Sequence, residues 1–237
     1  WAQFSIAGPK SQELINAVLD QPITSETFPY MSCASVGVLG ELGRLFRISF
    51  SGEHAYEIAI PSRYGESLFR LLVSRAEEMG GGPYGMEALN VLRLEKGFIT
   101  HAEIHGRVTA FDLGMQRMVS EKKDCIGKTS AARPGLLDSE REQLIALKPV
   151  GPIKQIVAGA HLFDLNDEPL RQNDKGYVTS VGFSPTFGHF IGLGFLKNGQ
   201  VRLGDRIKMV DHLRGVETDC EIINTVSFDP KGDRLRD

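Results

Sequence analysis

Between residues 143 and 228 the chain runs through six short apolar segments separated by turns, at 143–148, 155–163, 176–182, 190–195, 205–210 and 216–228, and no helical stripe interrupts them. Strand-like runs that follow one another this closely predict a small antiparallel barrel or sandwich. Glycine agrees with this, at 26 of 237 residues, above the roughly 7% of average chains. It falls in scattered turns rather than in a repeat.

The first half is patterned differently. Residues 2–7 read as a strand ending at Gly8-Pro9. Ser11 is placed to cap a short helix whose Leu14, Ile15, Val18 and Leu19 form one stripe. In 36–60, Phe46, Ile48 and Phe50 alternate with Leu45, Arg47 and Ser49, and Tyr56, Ile58 and Ile60 alternate with Ala55, Glu57 and Ala59. Two such runs joined by Ser51-Gly52-Glu53-His54 predict a hairpin. A helix beginning at Pro61-Ser62 turns Leu68, Leu71, Leu72 and Ala76 inward and stops at Gly80, and another covers about 86–96. Residues 131–142 are polar, contain Pro and Gly, and lack periodicity, so the domain boundary is placed there. The expected architecture is α+β: an α+β lobe over 1–130, then an antiparallel β-barrel lobe over 131–237.

Lys and Arg number 27 against 30 Asp and Glu, a formal charge of −3. That balance gives no electrostatic drive toward nucleic acid or anionic lipid. The three cysteines, Cys33, Cys125 and Cys220, have no CxxC spacing. Three widely spaced cysteines argue against a disulfide framework and suit a reducing compartment such as the cytoplasm. No run of eighteen apolar residues appears, so no membrane span is expected. The chain opens at Trp1, inside an apolar segment, and reads as a piece of something longer.

Several literal motifs fail on context. Gly80-x-Gly82-x-x-Gly85 follows a helix where a dinucleotide fingerprint needs a strand. Gly127-Lys128-Thr129 lacks the first P-loop glycine, since Lys122 stands there. His101 and His105 flank Glu103 without the HExxH arrangement or an evident third ligand, so no metal site is assigned to them. No GxSxG elbow is present. What remains is Glu57, a carboxylate flanked on its strand face by the small Ala55 and Ala59, with space above it for a flat ligand or for solvent. Arg47 is expected in a cross-strand surface pair.

Longer stretches carry a resemblance. The segment 47–61 (RISFSGEHAYEIAIP), the segment 85–97 (GMEALNVLRLEKG), the element 124–128 (DCIGK), and the segments 178–186 (VTSVGFSPT) and 191–195 (IGLGF) resemble, in order, the signatures of the folate-dependent aminomethyltransferase family that includes the glycine-cleavage T-protein. Within that family, the helix 88–97 and the closing 228–236 (FDPKGDRLR) are most similar to the branch found in the large subunits of bacterial heterotetrameric sarcosine oxidases.

The resemblance implies a ferredoxin-like α+β half, a C-terminal barrel and tetrahydrofolate as ligand. It implies that Glu57 holds the pterin, that Phe50 packs on the folate where the family has tyrosine, and that Arg93 and Glu95 buttress the pocket. Sarcosine would be oxidatively demethylated by the parent, the one-carbon unit leaving as methylenetetrahydrofolate. Other subunits are implied partners, with flavin and NAD on other segments or subunits. Leu89 departs from the family pattern, which has arginine there. The family's catalytic aspartate precedes the matched region, so no catalytic residue is expected in this chain. A stand-alone aminomethyltransferase and a degenerate folate module serving as an assembly scaffold remain as alternatives.

Overall fold

In a computed structural model, which describes residues 1–120 and 122–236, the first half is built on an antiparallel sheet of β1 (Ala2–Ala7), β2 (Cys33–Val38), β3 (Glu41–Phe46) and β4 (Ala55–Ile60), in the order β1-β4-β3-β2. Period-two alternation sorts β4 as expected: Tyr56, Ile58 and Ile60 enter the core with Ile6, Leu45 and Val38. Helix α1 (Ser11–Asn16), with the turn after it, contributes Ile15, Val18 and Leu19, and α2 (Gly65–Glu78) contributes Leu68 and Leu72. Gly80, at φ 82°, closes the end of α2, where the Gly81 N–H reaches the Ala76 carbonyl at 2.7 Å. After it, α3 (Met86–Glu95) buries Arg93, Leu94 and Glu95.

Two local expectations are corrected. Ser11 does not cap α1; it is buried and its hydroxyl donates to the His54 carbonyl at 2.9 Å. The long hairpin expected over 36–60 is divided. Its tight turn lies at Leu39-Gly40, with φ of 52° and 83°, the doubly left-handed geometry that joins two-residue hairpins. Without Asn or Asp before the glycine, that turn carries no strong sequence signal. Residues 47–54 then form an irregular connection tied by Ser49 and Ser51, whose hydroxyls accept from the N–H groups of Gly52 and Glu53.

Beyond a short helix α4 (Lys128–Ala131), six strands close into a barrel: β5 (Glu142–Pro149), β6 (His161–Asp164), β7 (Gly176–Ser184), β8 (His189–Lys197), β9 (Arg206–Asp211) and β10 (Val216–Ile223), ordered β10-β5-β8-β7-β6-β9. Closure removes sheet edges and settles the barrel against the sandwich. Leu147, Leu162, Val178, Leu196, Ile207, Met209 and Cys220 fill it. Residues 155–160, expected as strand, are irregular, yet Ile156, Val157 and Ala160 belong to the same core.

The chain separates into two compact units at Lys96/Gly97 rather than at 130/131, and the residues from Phe228 onward belong to the first. The polar stretch 131–142 misplaces the boundary because segment 97–141, though poor in regular structure, is bound to the barrel. Glu103, fully buried, accepts from the hydroxyls of Thr179 and Ser180, each at 2.6 Å. His105 Nε2 meets the Tyr177 hydroxyl at 3.1 Å, and the Leu144 N–H of β5 donates to the carbonyl of Asp112, whose carboxylate pairs with Arg141, at 2.8 Å.

In the first unit, the tail with helix α5 (Asp233–Arg236) fastens onto α3 and the 47–54 loop. The Phe228 N–H donates to the Glu95 carbonyl at 2.8 Å, Lys96 Nζ pairs with Asp229 at 2.8 Å with both side chains buried, and Arg234 pairs with Glu53 at 2.7 Å. Burial pushes the Asp229 carboxyl up, but hydrogen bonds from Lys96 and the Asp233 N–H outweigh that and hold it below the usual range. Among the described residues no helix is long and apolar enough to cross a membrane.

Candidate functional site

The side of the sheet facing away from the hydrophobic core collects the residues that alternate out of it. On β4 these are Ala55, Glu57 and Ala59; Ser5 of β1 and Phe46 of β3 stand opposite Glu57. Ala55 and Ala59 are buried and Glu57 is half-buried. The carboxylate thus sits in a row of small side chains, as its spacing predicts. Its Oε2 accepts a hydrogen bond from the Gln3 side-chain amide, while Oε1 makes none among the described residues. A carboxylate oxygen so placed has lone pairs available to two adjacent N–H donors.

Gln3 is the site residue that sequence reasoning missed. Alternation with Phe4 puts it on the correct face of β1, but 54 residues separate it from Glu57, and only strand pairing joins them.

Phe50 lies in the 47–54 loop with 37% of its surface exposed. Two residues on, Gly52 adopts φ 85° and presses against the Lys96 side chain, so closely that a Cβ there would lie 2.9 Å from Lys96 Cβ. The Phe50 loop and the end of α3 are therefore brought together. Arg93 and Glu95 lie in that last turn of α3, only 3% and 2% exposed. The Arg93 guanidinium donates through Nε to Asn90 at 2.9 Å, and the Glu95 backbone holds the C-terminal tail.

Arg47 overturns expectation. It is fully buried instead of lying in a surface pair. Its Nη1 donates to the Ala55 carbonyl at 3.2 Å, its Nη2 lies 3.0 Å from His54 Nδ1, and its charge sits 5.0 Å from the Tyr56 ring centre. Burial lowers the Arg47 pKa and raises that of the Tyr56 phenol. Alternation misled here because β3 ends at Phe46 and the chain turns inward immediately afterwards.

Two concavities of the barrel unit, about 260 Å³ beside Val150 and Glu217 and about 170 Å³ beside Gln200 and Ile222, contain none of these residues. Among the described residues no His, Cys, Asp and Glu cluster forms a metal site, His101 and His105 included.

Residues 1–123 match the GCVT N-terminal domain, and residues 143–229 match the Glycine cleavage T-protein C-terminal barrel domain. The chain belongs to the glycine cleavage T-protein family. Its barrel has the position in the chain that the family's C-terminal model describes.

Among relatives, the sarcosine oxidase subunit alpha of Rhizobium meliloti is 41% identical over 238 residues, which is 99% of this chain and 24% of that protein. The subunit alpha of Corynebacterium sp. strain P-1 is 36% identical, over 98% of this chain and 24% of its own length. An aminomethyltransferase of Thermoanaerobacter sp. is 28% identical across 88% of this chain and 55% of its own. The chain therefore spans about a quarter of the length of its sarcosine oxidase relatives. The crystal structure of glycine cleavage system aminomethyltransferase T from Bartonella henselae superposes with a TM-score of 0.78 at 22% identity, covering 96% of this chain and 60% of that one. The fold is shared.

Proposed function

We propose that this chain is the tetrahydrofolate-binding portion of a sarcosine oxidase alpha subunit, in which sarcosine is demethylated to glycine and its one-carbon unit is captured as methylenetetrahydrofolate. The higher identity to alpha subunits than to an aminomethyltransferase, 41% against 28%, favours this reading over a free-standing aminomethyltransferase.

The observation that carries it is Glu57: a half-buried carboxylate between two buried alanines, one oxygen engaged by Gln3 and the other without a hydrogen bond among the described residues. A pterin presents a ring N–H beside an exocyclic amine, and a carboxylate accepts that pair in bidentate fashion. Gln3 orients the carboxylate; Phe50 offers its exposed ring to stack on the flat ligand. Arg93 and Glu95 stiffen the end of α3 on which the Phe50 loop rests. Tetrahydrofolate supplies amine nitrogens that take up a one-carbon unit at the formaldehyde level. With no dinucleotide fingerprint here, flavin and NAD belong to other segments or subunits of a hetero-oligomer working in the cytoplasm.

Calorimetric titration of the intact enzyme with tetrahydrofolate tests this. Glu57→Gln keeps the shape of the side chain but replaces one accepting oxygen by a donor and removes the charge. It is expected to weaken binding by about 100-fold, the scale of one or two charge-assisted hydrogen bonds. Undiminished affinity in the variant would remove Glu57 from the site; absence of heat with the wild-type enzyme would favour an assembly scaffold.

A further inference from the structure

Strands β1 and β4 pair with Gln3 opposite Ala59 and Ser5 opposite Glu57, so the Gln3 side chain reaches Glu57 along a diagonal of one sheet face. The bond it makes there has a fixed sense. A carboxylate only accepts, so the amide must offer its NH2 group; turned over, it would set its own oxygen against a charged one. Nε2 is accordingly the atom that meets Glu57 Oε2.

A side-chain amide nitrogen carries two hydrogens. One goes to Glu57, and the other finds no acceptor among the described residues. Gln3 is exposed, which leaves that N–H open to a ligand. Arg44, opposite Ala59 on β3, lies on the same face. Its guanidinium stacks on the Trp1 ring at 4.4 Å and makes no ion pair with Glu57 among the described residues. Glu57 is thus held by a neutral amide rather than by a cation that would compete with a ligand's donors.

From Oε1 through Oε2 to the amide, the pair presents acceptor, acceptor and donor. Its complement is a flat edge carrying donor, donor and acceptor: an exocyclic amine, a ring N–H and a ring carbonyl. A 2-amino-4-oxo pterin has that edge.

We infer that Gln3 is a specificity-determining residue of the Glu57 site: its second N–H donates to the 4-oxo oxygen of the pterin, while the carboxylate takes the ring N–H and the 2-amine. This rests on the folate reading for its ligand and adds the residue that recognises the oxygen beside the ring N–H. A site that donates to this oxygen discriminates against an analogue that accepts poorly there, because the donor is then left facing a group that cannot pair with it.

The test is calorimetric titration of the intact enzyme with tetrahydrofolate and with its 4-thioxo analogue. Sulfur, a weak acceptor, replaces the oxygen there, and the ring N–H and the amine are kept. Gln3→Met preserves the length of the side chain without the amide, and at an exposed strand position it is expected to fold. Wild type should bind the oxo form about tenfold more tightly than the thioxo form, the scale of one neutral hydrogen bond. Gln3→Met should bind the two with nearly equal affinity. Any loosening of Glu57 in the variant weakens both ligands alike, so the ratio isolates the contact with the oxygen.

The same oxo-to-thioxo ratio in wild type and Gln3→Met overturns the Gln3 assignment. If tetrahydrofolate is then still bound, and still weakened by Glu57→Gln, the folate reading stands without it. Guanosine carries the same three-group edge and is titrated beside 6-thioguanosine. Should wild type prefer guanosine to tetrahydrofolate, and Gln3→Met lose the preference for guanosine over its thio form, the Gln3 assignment stands and the folate reading falls. Binding of neither tetrahydrofolate nor guanosine overturns both.

Discussion

Gly176→Val is expected to destabilise the barrel unit by about 3–5 kcal/mol, beyond usual overpacking because the obstacle is backbone. Gly176 is where β7 meets both β8 and β6, pairing with Leu196 on one side and Leu162 on the other. A Cβ at this position would lie 1.9 Å from the Phe195 carbonyl oxygen and 2.8 Å from its carbon. No side-chain rotation relieves that clash; the strands must part and the ladder that closes the barrel opens. Against a typical domain stability of 5–15 kcal/mol, such a loss lowers the thermal midpoint of this unit steeply. Gly135→Ala meets nothing within 4 Å and should change stability by less than about 0.5 kcal/mol. Equal midpoints for the two variants would show that the barrel tolerates separation at this seam.

Asp112→Asn is expected to be nearly as damaging, about 3 kcal/mol, the lower end for breaking a buried pair because Arg141 keeps 24% exposure. Asp112 accepts from Arg141 Nε at 2.9 Å and Nη2 at 2.7 Å, and from the Thr109 N–H at 2.8 Å and hydroxyl at 3.0 Å. Burial pushes its carboxyl up, but the bonds from Arg141 and Thr109 together outweigh that and leave it below the ordinary aspartate range. A depressed native pKa fixes the sign of the pH dependence. The unfolded chain takes up the proton first as pH falls, so the contribution is complete above about 3.9 and is lost progressively below it. Unfolding midpoints followed from pH 6 to pH 3 should therefore drop less in Asp112→Asn than in wild type. Parallel curves would show that the carboxylate is not held by these partners.

Much of the fold was legible before the structure because it depends on local periodicity. The alternation of Tyr56, Ile58 and Ile60 with Ala55, Glu57 and Ala59 survives intact, since a strand has only two faces and one must be dry. Most of the strand order after residue 142 reads correctly for the same reason, although 155–160 is irregular and β10 stops at Ile223. Failures fall where local rules compete. Alternation carried on past Phe46 put Arg47 in solvent, and a polar composition at 131–142 looked like a linker although Asp112 and Arg141 tie that stretch to the barrel unit.

Sequence alone determined the strand faces, the helix stripes and the small neighbours of Glu57, all properties of residues within a few positions of one another. Only the tertiary structure decided that Gln3 reaches Glu57 across the β1–β4 ladder, that six strands close into a ring, that Arg47 turns inward beneath its own loop, and that the C-terminal tail fastens onto α3. Each of these joins groups whose meeting depends on how the backbone turns and pairs, and a one-dimensional pattern of polarity does not encode which distant partner satisfies a buried hydrogen bond.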